Sequence, residues 1–124
     1  MDLFSVVDRD LQDAKVAGVS SDWRLAMAYN AALQLATLAL AAEGFRAERQ
    51  RAHERTIASL SHTVGAGRNV IDVLDAIRRK RNVSNYERAG AASEHEVTEV
   101  YDIAVSLRDR VRTWMAEHHP ELLA

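Results

Sequence analysis

Eighteen consecutive residues without a charge, LAMAYNAALQLATLALAA, lie between Arg24 and Glu43 and limit what this chain can become. Ser20 and Ser21 precede the run, and either can accept hydrogen bonds from the free amides of a first helical turn. Asp22 suits the positive end of the helix dipole, and Gly44 can take the left-handed conformation that closes a helix. The spacing predicts one helix over residues 22–43, about 33 Å long at roughly 1.5 Å per residue. A helix this apolar must be wrapped by others. Asn30, Gln34 and Thr37 alone interrupt it, on one stripe at i, i+4 and i+7. They form either a solvated or helix-bridging stripe, or a polar seam facing a site or a second copy. Length alone would allow a membrane span. Eight alanines and three polar residues within the run, with no second apolar segment, argue against one.

A chain of 124 residues has room for one domain with one core. One proline and five glycines, the latter mostly between periodic segments, favour long helices joined by short turns. Phe4, Val7, Leu11, Ala14 and Gly18 predict a first helix over residues 2–17. His53, Ile57, Leu60 and Val64 share a face of a third helix, which the glycines of SHTVGAGR interrupt. In a fourth, Val70, Leu74 and Ile77 point inward and Asp72 and Asp75 toward solvent. The same row continues to Arg81. Ser93 and Glu96 form a capping box that opens a fifth helix, with an apolar stripe from Val97 to Met115. The expected fold is all-α, an up-and-down bundle of about five helices in a single domain over residues 1–124.

The absence of cysteine removes disulfides, thiol catalysis and cysteine-based zinc sites, and fits a reducing compartment. The N-terminus, MDLFSVVDRD, lacks a secretory pattern, so a soluble cytoplasmic protein is expected. Charge is unevenly spread: residues 44–90 carry ten basic and five acidic side chains, whereas both flanking segments are net acidic. Two basic stretches, RAERQRAHER and RRKRNVSNYER, are either solvated turns or the place to seek an anionic partner. The five histidines have no H-E-x-x-H or paired E-x-x-H spacing, so no metal is expected, and no cofactor motif occurs.

The order of YNAALQLATLALAAEGFR, His53, LDAIRRKRNVSNYE and a capped last helix resembles the HEPN domain family, most recognisably over residues 74–86. HEPN domains are all-α bundles found in prokaryotic toxins, nucleotidyltransferase partners and defence proteins. Ribonuclease members carry an arginine, commonly followed by a polar residue, then a histidine four to six residues on, and two protomers pair these motifs into one site. Arg81 and Asn82 match the first half, but Tyr86 stands where the histidine would. Histidine suits metal-free RNA cleavage because its pKa lies near neutrality; tyrosine, near 10, needs neighbouring cations to lower it.

The resemblance implies a homodimer through the motif face, with RNA and a nucleotidyltransferase-type antitoxin as partners. Arg81, Asn82 and Tyr86 would be the motif positions, with Arg78, Arg79, Lys80 and Arg88 as RNA contacts. Three functions stay open: an interaction or RNA-binding module in a toxin–antitoxin or defence pair, with a degenerate ribonuclease motif; a metal-independent endoribonuclease using Arg81 with Tyr86 or His53; or an unrelated helical bundle that binds a small molecule.

Overall fold

A computed structural model describes residues 4–82 and 92–123, and these fold into five α-helices and a closing 3-10 turn, with no strand among them. The helices are α1 (Ser5–Asp13), α2 (Ser21–Ala42), α3 (Ala52–Thr63), α4 (Arg68–Asn82) and α5 (Glu94–His118). α2 has the ends that its sequence asks for. The Ser20 Oγ accepts from the Trp23 amide at 3.1 Å. At its other end the Gly44 amide reaches the Ala41 carbonyl (2.9 Å) and the Phe45 amide reaches that of Leu40 (3.1 Å), with Gly44 at φ +87°. This pair is a Schellman closure, which satisfies two carbonyls the helix would otherwise leave open.

Packing on α2 is set by small side chains. Ala28, Ala31, Ala32, Ala36 and Ala39 are fully buried, together with Leu25, Tyr29 and Leu35. Methyl-sized groups let neighbouring backbones approach closely. α5 is the most extensive partner, followed by α1 and α3. These supply Phe4, Val7 and Leu11 from the α1 segment, Ile57 and Leu60 from α3, and Val100, Ala104, Leu107, Val111 and Met115 from α5. The polar stripe proves helix-bridging in part: the Gln34 Nε2 donates to the buried Asp10 carboxylate at 2.8 Å, joining α2 to α1. Thr37 is exposed and donates back to its own helix at Leu33.

Specific contacts fix the directions of the helices. At one end Ser21 Oγ donates to Glu94 Oε1 (2.7 Å), and Asp22 Oδ1 accepts from the Ala92 amide (3.0 Å). At the other, His119 Nε2 lies 3.5 Å from Glu43 Oε2. α2 and α5 therefore run parallel. Lys80 in the last turn of α4 reaches Glu96 in the first turn of α5, so those two are antiparallel. α3 and α4 form a hairpin closed by the bond from the Ala66 amide to the Leu60 carbonyl, with Gly65 at φ +68°. α3 then runs the same way as α2, and residues 43–51 return along the bundle as an irregular crossover. This corrects the expectation of simple up-and-down alternation through short turns.

α1 is also shorter than expected. It stops at Asp13, and the Lys15 and Val16 amides turn back to the Gln12 and Asp13 carbonyls. Residues 15–18 are all exposed, so nothing there rewards a further turn. Arg108 of α5 clamps α1 by a two-pronged pair with Asp8, one bond of which is 3.0 Å, and the Arg108 and Arg112 guanidiniums lie over the Phe4 ring.

Enlarging the buried alanine row should be costly. Ala32→Leu is expected to destabilise by about 1–3 kcal/mol through overpacking, whereas Ala41→Leu on the exposed side should stay within about 0.5 kcal/mol. Urea denaturation of the two variants checks the contrast.

Candidate functional site

The motif segment closes α4. Val70, Leu74 and Ile77 hold the helix on the core, and Arg81 continues their row in the last turn. Cations there also oppose the negative end of the helix dipole. The backbone of Arg81 and Asn82 belongs to α4, while their side chains, and Tyr86 and Arg88 entirely, lie outside the described residues.

The remaining basic residues of the run face carboxylates. Asp75 takes two of them: Arg78 Nε donates to its Oδ1 at 2.8 Å, and Arg79 Nε lies 3.4 Å from its Oδ2. Asp75 is thus half-buried between arginines instead of pointing free to solvent. The Asp75 hydrogen bond, opposed by burial, raises the Arg78 guanidinium further above its ordinary value, and the charges of Asp75 and Glu54 and the nearby Tyr29 add to the effect. Lys80 Nζ lies 2.7 and 2.9 Å from the two oxygens of Glu96.

Glu96 is therefore shared between two tasks. Its Oε1 accepts from the Ser93 amide at 3.0 Å while the Ser93 Oγ accepts from the Glu96 amide at 3.1 Å, which completes the capping box. Burial pushes its carboxyl pKa up, but the Lys80 and Ser93 hydrogen bonds and the Lys80 charge outweigh this and hold it below the usual value. Next to it, the Ser21 hydroxyl and the Arg24 guanidinium lower the pKa of Glu94. The first turns of α2 and α5 and the last turn of α4 are pinned into one end of the bundle.

His53 lies in the first turn of α3, and it is exposed. The expectation that it shares the inward face of Ile57 and Leu60 is corrected. The packed part of α3 begins one turn later, at Thr56 and Ile57. Glu54, beside it in sequence, acts on Arg78, so His53 is at the same end of the bundle as the motif. Trp23, in the first turn of α2, is 56% exposed at that end as well.

Among the described residues no three His, Asp or Glu side chains gather where they could hold a metal ion. A groove of about 230 Å³ lies between the start of α4 and the middle of α5, lined by Ala66, Val70, Ile103 and Leu107 with Asp102 and Arg110. It is about three turns along α4 from the motif. Comparisons with protein families, with characterised proteins and with solved structures found no match to this chain.

The partners of the basic run are what sequence reasoning missed. Asp75 carried a local signal, since it precedes Arg78 and Arg79 by three and four residues, the spacing of helical ion pairs. Glu96 carried none, being sixteen residues from Lys80.

Because its pKa is depressed in the fold, Glu96 stabilises above its unfolded value of about 4.3 and loses that contribution as pH falls through the folded value. Glu96→Gln keeps an oxygen for the capping box but loses the charge that pairs with Lys80, so it should cost about 0.5–1 kcal/mol at pH 7. The difference from wild type should be smaller at pH 3 than at pH 7, as the carboxylate begins to protonate. Urea denaturation at the two pH values measures it.

Proposed function

We propose that this chain is a HEPN-like interaction module, cytoplasmic and homodimeric, forming one component of a toxin–antitoxin or defence pair. Its partners on this reading are RNA and a nucleotidyltransferase-type antitoxin. The observation that carries the reading is the state of the α4 terminus. Arg78 and Arg79 pair with Asp75 within α4, and Lys80 pairs with Glu96, which ties the motif segment to the start of α5 as a structural joint. The sequence supplies Tyr86 where the ribonuclease pattern has histidine, so the joint persists without the proton-transfer group that cleavage needs. Exposed Trp23 beside this joint supplies an apolar anchor for a second copy, of the residue type that dominates interface energies.

The exposure of His53 at the same end supports a second reading, a metal-independent endoribonuclease. There His53 or Tyr86 would move the proton and Arg81 would stabilise the charge of the phosphorane.

The two readings separate in one assay. Purified protein incubated with RNA and EDTA should leave the RNA intact, and Tyr86→His should gain cleavage that Arg81→Ala removes again. Cleavage by the wild type that is stopped by Arg81→Ala, together with His53→Ala or Tyr86→Phe, replaces the first reading with the second. Sedimentation at micromolar concentration should give a dimer that Trp23→Asp converts to monomer. A monomeric wild type contradicts the dimer.

A further inference from the structure

The second basic stretch is arranged differently from the first. Phe45, Arg46, Arg49, Arg51 and Arg55 lie on the crossover and the first turn of α3, and all are exposed. Among the described residues no carboxylate lies within 4 Å of Arg46, Arg49 or Arg55, and Arg51 has only Glu54, at 3.9 Å. The described cations at the end of α4 each meet a carboxylate, although Arg79 stays exposed; Arg46, Arg49 and Arg55 are exposed and meet none among the described residues.

Two local rules are broken on the same surface. Phe45 leaves 67% of its area in water. Arg51 sits at φ +60°, the only non-glycine residue with positive φ among those described. A side chain there costs about 1 kcal/mol or more that glycine would not. The Arg51 backbone turns the chain into α3, its carbonyl accepting from the Arg55 amide at 3.0 Å, but neither the Phe45 ring nor the Arg51 guanidinium is buried by the fold. Both suit a ligand that has negative charge along its length and flat apolar faces between the charges.

We infer that residues 45–55, the crossover together with the first turn of α3, are a binding surface for single-stranded RNA. The inference rests on the reading of the chain as an RNA-contacting module and moves the contact from the end of α4 to this strip. Arg46 and Arg49 on the crossover, Arg51 at its closing turn and Arg55 in the first turn of α3 would meet phosphates of the strand, while the Phe45 ring offers a stacking platform to an unpaired base. Stacking of this kind is independent of base identity and needs bases not already stacked in a duplex.

The test is fluorescence anisotropy of a labelled 20-nucleotide poly(U) RNA with the full chain, from low to physiological salt. Wild type should show a log–log salt slope of roughly −2 to −3, for three to four phosphate contacts at about −0.7 each. The triple change Arg46→Gln, Arg49→Gln and Arg55→Gln should weaken binding at low salt at least about tenfold and flatten the slope by about 2. Phe45→Ala should weaken it about fivefold or more with the slope unchanged. Arg51→Gly should leave Tm unchanged or raised while it weakens binding, a combination that simple loss of structure cannot produce.

Retention of binding by the triple variant, with loss in Arg78→Gln and Arg79→Gln, overturns the inference and leaves the RNA-contacting reading standing. No binding by wild type at any salt removes that reading and the inference with it. Equal competition by duplex RNA or by polyglutamate at matched charge overturns the assignment to single strands.

Discussion

Close approach of α5 to α2 is possible only because the buried side of α2 is built from alanine. Five methyl groups with no exposed area remove the bulk that would otherwise hold the helices apart, and larger residues on α5, α1 and α3 fill the space around them. Such a row has little freedom to adapt, since an alanine has no rotamer to change. The polar links follow from it. With α2 and α5 parallel and in contact along their length, Ser21 meets Glu94, Glu43 meets His119, and α4 is left to run back between those ends.

Charge then divides the surface into two kinds. Where a cation closes a helix and a carboxylate lies one turn away or across an interface, the pair serves the fold, as with Arg78, Arg79 and Lys80. Arg46 and Arg49, on the irregular crossover, have no helical neighbour at three or four residues to pair with, and Arg51 and Arg55 face solvent where the chain enters α3, with Glu54 3.9 Å from Arg51. The crossover is of this second kind. Two stretches of similar composition thus differ in how many of their described cations meet a carboxylate.

The features legible in the sequence were the local ones. The Ser20 cap, the closure at Gly44, the Ser93–Glu96 box and the inward row Val70, Leu74 and Ile77 each depend on residues a few positions apart, so spacing reveals them. What stayed hidden depends on neighbours distant in sequence. Periodicity places His53 on the row of Ile57 but cannot tell that nothing covers the first turn of α3. Composition finds two basic stretches but not that Glu96 reaches back to Lys80. The parallel course of α2 and α5 is set by which connection spans the bundle, and the glycine at position 44 announces a helix end without saying where the chain goes next.

The parallel pairing also sets an order on biosynthesis. Residues such as Ser21 and Glu94, which meet at the start of the two helices, are 73 positions apart, an interval of about 4–15 s at roughly 5–20 residues added per second. From the emergence of Ala42 to that of Glu94, the later part of that interval, the apolar side of α2 is out while its principal cover is not. The nascent chain thus presents a segment whose length and hydropathy match a membrane span, to be read by whatever factors survey emerging chains for apolar helices. Folding competes with that recognition only once α5 is free of the ribosome.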